Sequence, residues 1–423
     1  MHIALLTDGI YPHIMGGMQK HSYYLAKYLA RAGVKVDVYH AIPEGQQLPS
    51  QPEGFCDEEL KNLQFFPVHF PKSGKFPGHY IRDNYRYSKR VFKEISKQPS
   101  PDFIYIQGFS GWKVLTKGME HEAWSNIKTG INFHGLNMFQ KSATFSEQLK
   151  KYLFRPFVIK NLKYADFIFS LGGKLTPIIK NIADKKQIIE LPIGITNDWL
   201  TPEIIQNNNT LKFCFIGRYE RLKGIEELHS VLQQLIEEEH IFEFHFIGPI
   251  PKSKHLKPNN LLLPSLTPWP PEGEKQPASK TTNHLLAYSP NNLIPYSPNP
   301  LISYHGVIHD ETKIQQILRE SDVLVCPSWS EGMPTVILEA MASGCAIIAS
   351  DVGAVSEQVN KENGILIEPG NKRELKEAME TMLNMDNEKL LKMKKMSVNR
   401  IKEKFLWEQV AERTIQVIKG LSQ

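Results

Sequence analysis

Short apolar runs alternate with stretches of helical period along most of this chain, in two separate series, and no other feature narrows the fold as much. The first series reads as strands at residues 3–6, 35–40, 103–106, 130–133 and 167–171, with a helix from about 20 to 32. The second has strands at 212–216, 242–247, 323–326, 346–349 and 364–367, with helices at 225–239 and after Pro334. Strands that alternate with helices build parallel sheets covered on both faces. With 423 residues there is enough chain for two such domains, each with a full core. The expected fold class is therefore α/β, two Rossmann-like doubly wound domains facing across a cleft. They span residues 1–200 and 201–400, and a last helical segment covers 401–423. The boundary is placed at 200–209, where Thr201-Pro202-Glu203 and Asn207-Asn208-Asn209 interrupt the pattern. In open parallel sheets ligands sit beyond the carboxyl ends of the strands, so the chemistry is sought in the loops there.

Composition removes several function classes. A hydrophobic share of 41% is too high for a disordered chain, and no run of about eighteen apolar residues reads as a membrane span. Met1-His2-Ile3-Ala4-Leu5-Leu6 reads as a buried strand rather than a cleavable leader, so the expected location is the cytoplasm. Cys56, Cys214, Cys326 and Cys345 form no Cys-x-x-Cys pair and read as reduced core residues. No His/Cys cluster has zinc spacing, and the expected metal complement is none. Residues 1–195 hold 26 Lys and Arg against 16 Asp and Glu, whereas 196–423 hold 24 against 29. A basic first half suits an anionic membrane surface or an acidic substrate. Nucleic acid is not expected, because the cations are dispersed and no helix-turn-helix, zinc-finger or ribonucleoprotein motif accompanies them.

The most informative motif is residues 328–344, which set Glu331 in a turn and Glu339 one turn inside the next helix. Pro334 suits the first helical turn, so Gly332, Met333, Pro334 and Thr335 border a helix start whose free N–H groups attract phosphate. At 100° per residue Thr335, Glu339, Ala342 and Ser343 share one face and Ile337, Ala340 and Met341 the other, which turns Glu339 away from the core. No Lys or Arg lies three or four residues from it to make a local ion pair. After the first strand come Gly16 and Gly17, which either make a simple turn or let backbone N–H groups approach a diphosphate. His21, on the helix that follows, has capping, packing and substrate contact as open roles. Phe133-His134-Gly135 ends another strand. In the second half Gly217-Arg218 and Lys223-Gly224 place two cations in one strand-to-helix loop, at a spacing that lets a guanidinium and an ammonium converge on two phosphates.

Together these motifs resemble retaining glycosyltransferase family 4, glycosyl transferases group 1, whose Glu-x7-Glu pattern matches Glu331 and Glu339. The resemblance implies the GT-B fold, with an acceptor-binding first domain (1–200), a nucleotide-sugar-binding second domain (201–400) and the last helix returning to the first. It implies transfer of a hexosyl unit, with retention and without metal, from a nucleotide-diphosphate sugar to a hydroxyl of a glycan, lipid-linked or small-molecule acceptor. A UDP-sugar is the donor most frequent in the family. Glu331 would then lie against the donor sugar and Glu339 would hold the ribose hydroxyls. His134 would approach sugar and phosphates, and Arg218, Lys223 and the backbone at Gly16, Gly17 and Gly217 would take the diphosphate. The Asp-x-Asp pair of metal-dependent transferases of the other fold is absent from the chain. Looser matches are Ser170, Gly353 and Glu357.

Three features depart from the family. Ile193 and Thr196 stand where relatives usually carry Asn and Asp, leaving Asn197 or Asp198 to compensate. Residues 251–300 are rich in Pro, Asn and Ser, and contain the related hexamers that begin at Lys257, Ser289 and Ser297. Residues 148–165 mix five cations with large apolar side chains, reading either as an amphipathic helix packed on its domain or as a contact with anionic lipid, with Pro156 against a single unbroken helix. Rival functions are a nucleotide-sugar epimerase or hydrolase on the same scaffold, and a non-catalytic nucleotide-sugar-binding subunit.

Overall fold

The computed structural model describes residues 1–45, 49, 51–71, 74, 78–117, 126–205, 210–256 and 301–421. In the first half, the strands are β1 (His2–Leu6), β2 (Lys35–Pro43), β3 (Leu63–Phe70), β4 (Phe103–Gln107), β5 (Lys128–Asn132), β6 (Phe167–Ser170) and β7 (Gln187–Glu190). They form one parallel sheet in the order β3-β2-β1-β4-β5-β6-β7. Its helices are α1 (Gly17–Arg31), α2 (Asp57–Leu60), α3 (His79–Ile95), α4 (Trp112–Lys117), α5 (Phe145–Tyr152), α6 (Arg155–Tyr164) and α7 (Leu175–Ile182). Central strand β1 pairs with β2 through Ile3 opposite Val36, and with β4 through Ile3 opposite Phe103. All these residues are fully buried, which is why the central strands read as continuous apolar runs rather than alternating ones.

The second sheet is also parallel, in the order β10-β9-β8-β11-β12-β13. Its strands are β8 (Lys212–Ile216), β9 (Glu243–Ile247), β10 (Leu301–Tyr304), β11 (Val323–Cys326), β12 (Ala346–Ser350) and β13 (Gly364–Ile367). Its helices are α8 (Ile225–Glu237), α9 (Glu311–Glu320), α10 (Thr335–Ala342), α11 (Val355–Gln358), α12 (Lys372–Leu383) and α13 (Asn387–Arg400). Strand β10 lies beside β9, with Leu301 opposite Glu243, so the insert connects two neighbouring strands. The three hexamers and Asn207-Asn208-Asn209 lie outside the described residues.

A π-helical turn (Ile401–Phe405) separates α13 from the last helix, α14 (Trp407–Leu421). Trp407 stacks on Tyr24 and Tyr28 of α1, with ring centroids 5.9 and 6.2 Å away. The amide of Ile195 donates to Phe405 O at 2.7 Å, which ties the return to the first domain. One buried cluster runs from Leu136, Ile193 and Ile195 through Met333 to Ile401 and Phe405, joining the cores of the two domains. Within the second domain Lys394, only 2% exposed, donates to Asp322 and to Ile205 O, both at 2.7 Å.

Residues 148–165 are two helices: α5 stops at Tyr152 and α6 opens with Pro156 in its first turn, where proline is tolerated. The cysteines are free. Cys214, Cys326 and Cys345 are buried, but Cys56 is exposed at the start of α2, so the core assignment fails for that one. It caps a helix rather than filling a strand.

Candidate functional site

Loops at the carboxyl ends of both sheets meet around a cavity of about 290 Å³ lined by Gly17, Met18, His134, Gly135, Lys223, Glu331, Gly332, Met333, Pro334 and Thr335, among others. Each half is held by its own local structure. Glycine is required at 224, where φ is +67° and an added Cβ would run into the Pro327 carbonyl. That tight turn aims Lys223 across the loop, and its Nζ meets Glu331 Oε1 at 2.6 Å. Ser328 Oγ donates to the same oxygen at 2.8 Å. Burial works against the charge on Lys223, yet Glu331 together with Cys326 and Glu220 outweighs it and raises the ammonium above its ordinary pKa, so this cation is present at neutral pH.

His134 sits at φ +57°, in a left-handed conformation imposed at the end of β5, where its amide donates to Asn132 Oδ1 at 2.7 Å. Its Nε2 lies 3.2 Å from Gln107 Oε1. An oxygen only accepts, so Nε2 carries the proton and Nδ1 is the acceptor. Burial pulls its pKa down to about 4, leaving a neutral imidazole. His21 packs edge-on to it at 4.8 Å and lies 5.4 Å from Trp407. His21 is 4% exposed, and burial holds its pKa well below the usual value.

A Cβ added at Gly17 would meet nothing within 4 Å, so no neighbour within the protein calls for glycine there. Opposite it, α10 begins after Pro334 with its first-turn N–H groups directed to the cavity end. The two halves interlock. Gln140 Nε2 donates to Gly135 O and, at 2.7 Å, to Glu331 O, while Ser330 Oγ lies 2.9 Å from Asn137 Oδ1. Gly332 faces the His134 carbonyl so closely that a Cβ would come within 2.8 Å of it.

One expectation needs correction, and one residue is more buried than its own helix shows. Glu339 turns away from the core of its own domain but is not solvated. It is 8% exposed in a recess beside Lys20, His21, Thr335 and Trp407, closed by the other domain. Burial raises its pKa, opposed by Lys20, the cationic neighbour that its own helix lacks. Arg218 does not converge with Lys223. Its side chain is 70% exposed and pairs with Glu220 at 3.0 Å, because an acidic neighbour two residues on captures the guanidinium. Gly217 lies at the end of β8, its amide bonded to Ile247 O at 2.9 Å.

Among the departures, Ile193 lines both the cavity and the recess, and Thr196 lines the recess. Asn197 supplies nothing there, since its amide is bonded to Glu408 of α14 at 2.8 Å. Ser170 bonds Thr176 within the first domain, whereas Gly353 accepts from the Lys174 amide at 2.7 Å and Glu357 accepts from the Gly173 amide at 3.0 Å, so these last two brace the domain junction. Sequence reasoning missed Lys20 and Gln140. Neither carries a local signal, because each acts across the cleft.

Residues 15–171 match the family described as Glycosyltransferase Family 4, and residues 287–385 the one described as Glycosyl transferases group 1. An uncharacterized glycosyltransferase of Methanocaldococcus jannaschii is 30% identical over 444 aligned positions, covering 99% of this chain and 98% of that protein. Other relatives match over a smaller part: the alpha-maltose-1-phosphate synthase of Mycolicibacterium smegmatis is 34% identical over 26% of this chain and 30% of its own length. Among solved structures, sucrose-phosphate synthase from Thermosynechococcus elongatus superposes with a TM-score of 0.73 at 18% identity, covering 99% of this chain and 98% of that one. Anabaena HepE, solved in complex with UDP and glucose, gives 0.60 at 13% identity, covering 99% of this chain and 100% of that one. The chain belongs to glycosyltransferase family 4, the group 1 glycosyl transferases, and has the GT-B fold.

Proposed function

We propose that the protein transfers a hexosyl unit from a UDP-sugar to an acceptor hydroxyl, retaining the anomeric configuration and using no metal. The observation that carries this reading is the convergence of Lys223, Glu331, the open Gly17 turn and the α10 start on one cavity. The ammonium and the main-chain N–H groups suit a diphosphate, whose negative charge grows as the bond to the sugar C1 breaks. Glu331 lies close enough to that cation to polarise the sugar beside it. In the front-face course we favour, the acceptor oxygen bonds to C1 on the side the diphosphate leaves, and its proton passes to a leaving phosphate oxygen. Neutral His134 accepts a hydrogen bond from a sugar hydroxyl at Nδ1, and Glu339 takes the ribose hydroxyls. Lys223 supplies the positive charge that a metal ion supplies elsewhere.

Support from the relatives is of the same kind. HepE was solved with UDP and glucose, and an Escherichia coli neighbour described as trehalose-6-phosphate was solved with UDP-2-fluoro glucose. Among the described residues no helix is long and apolar enough to cross a membrane. A groove of about 870 Å³ between α3, α4 and α6 nevertheless combines Ile81, Trp112, Leu153 and Phe157 with Arg82, Lys113 and Lys160. We read this face as resting on anionic lipid at the inner side of a membrane. The decisive assay incubates the protein with UDP-sugars and an acceptor panel in a chelator and follows the new anomeric signal by NMR. An α-linked product from an α-donor is expected. Free sugar alone, an epimer, an inverted product or loss of turnover with the chelator would each refute the reading as stated.

A further inference from the structure

The loop between β1 and α1 borders two cavities. One is the cavity that holds Lys223 and Glu331. The other, of about 440 Å³, lies beyond the ends of β1, β2 and β3 and is bounded by Asp8, Gln19, Glu44 and Asn84, with Phe70 and Tyr80 as walls. Its size is that of a small-molecule site, and it lies where α/β sheets take ligands. Gln19 ties the two cavities together. Its carboxamide lies against Gly16, where a Cβ would collide with it, and its Nε2 donates to Asp8 Oδ1 at 2.8 Å.

The chemistry of this second cavity differs from that of the first. Among the described residues its lining includes no Lys, Arg or His, but two carboxylates and two carboxamides. Glu44 is engaged by Arg90 at 3.3 Å, whereas no cation among the described residues pairs with Asp8. A phosphate brought against Asp8 meets like charge, and a neutral hydroxyl meets an acceptor. Phe70 and Tyr80 offer flat apolar surface of the kind that covers the C–H face of a sugar ring. We propose that this cavity is the acceptor-side subsite, that it takes an uncharged pyranose and rejects a phosphorylated one, and that Asp8 is its specificity-determining residue. The inference rests on the transferase reading and adds the class of acceptor to it. Burial lifts the Asp8 carboxyl to about 6, as befits a carboxylate kept where solvation alone would not keep it. The groups facing it are Gln19 of α1 and Tyr80 and Tyr87 of α3, with Glu44 across the cavity. Both tyrosines are held above their ordinary pKa by burial and so stay neutral.

The test measures binding to the full chain by saturation-transfer NMR in the presence of UDP. The probes are methyl α-glycosides of glucose, mannose, galactose and N-acetylglucosamine, set against glucose 6-phosphate and mannose 6-phosphate. UDP binding is measured separately by calorimetry. At least one neutral glycoside is expected to bind about tenfold or more tightly than the hexose phosphates. Asp8→Asn and Tyr80→Ala are each expected to weaken it at least about tenfold, with UDP affinity unchanged within about twofold. Tyr80 is 47% exposed, so its truncation leaves the fold intact. Affinity in the wild type should fall as the pH drops below about 6 and stay level in Asp8→Asn. Hexose phosphates binding as well as glycosides, binding untouched by both variants, or no glycoside binding while UDP binds would each overturn the proposal. Absence of UDP binding counts instead against the transferase reading and leaves the glycoside comparison readable.

Discussion

Replacing Asp8 by Asn should stabilise the first domain, and by an amount that depends on pH. The Asp8 carboxyl rises from 3.8 to about 6 because burial disfavours its charge, with the Gln19 hydrogen bond opposing. A folded-state pKa above the unfolded one means that the native protein binds the proton more tightly than the unfolded chain does. Stability therefore falls as pH rises from about 4 to about 6, and the whole penalty is present above that. Two pKa units correspond to about 3 kcal/mol. Asn has the same shape, keeps an oxygen for Gln19 Nε2 and carries no charge. The variant should match the wild type near pH 4 and exceed it by about 2 to 3 kcal/mol near pH 7.5, with the gain complete between. At an m-value of about 3 kcal/mol per molar, this raises the urea midpoint by up to about 1 M. Hydrogen exchange of the β1 and β4 amides isolates the first domain from the second. A stability difference that is the same at every pH, or a variant weaker than wild type near pH 7.5, would refute the reasoning.

The remaining predictions separate roles that the sequence alone runs together. Lys223→Met should lower kcat/KM by about 10² to 10³, the usual loss when a donor to developing negative charge is removed. Arg218→Ala should change it less than about threefold, since exposed ion pairs contribute about 0 to 1 kcal/mol; equal losses in steady-state assays would contradict the geometry. Gly17→Ala should melt like the wild type and yet weaken UDP binding about tenfold or more, whereas Gly224→Ala should lose about 1 to 3 kcal/mol of stability to its left-handed φ and the Pro327 clash. Sedimentation with phosphatidylglycerol vesicles should decline with added salt and with Leu153→Glu, a residue 71% exposed; binding equal to that on neutral vesicles would refute the lipid-facing reading.

Much of the fold was legible because the central strands are buried on both faces and so appear as unbroken apolar runs. What escaped detection lies at edges. Strand β3 carries Pro67 and only half-buries most of its side chains, so neither composition nor alternation marks it. Strands β7 and β10 span four residues each at the sheet margins. Helix α3 starts after Gly78 in a left-handed conformation, without a side-chain cap to announce it. At the site, helical periodicity gave the direction of Glu339 correctly and said nothing of its environment. Periodicity speaks only of the residue's own helix, and the atoms that bury Glu339 belong to α1 and α14. The spacing of Arg218 and Lys223 fixed where their backbones lie but not which carboxylate each would find first.

The charge asymmetry between the halves has the same lesson in reverse. It read as a sign of an anionic partner, and part of it is spent inside the molecule. Lys20 pairs with Glu311 at 2.9 Å, Lys174 with Asp351 at 2.9 Å and Lys141 with Glu368 at 3.7 Å. In each pair the first domain gives the cation and the second the carboxylate, so a basic face and an acidic face meet across the cleft. These pairs are partly or largely exposed, and each is worth about 0 to 1 kcal/mol. They orient the two domains without locking them, which suits a cleft that must admit a donor from one side and an acceptor from the other. The strong pair, Lys394 with Asp322, lies away from the cleft, at the foot of β11, where removing one partner would cost about 3 to 5 kcal/mol. Rigidity is thus concentrated within the second domain, and the surfaces that face the substrates are held together by contacts weak enough to exchange for a ligand's own.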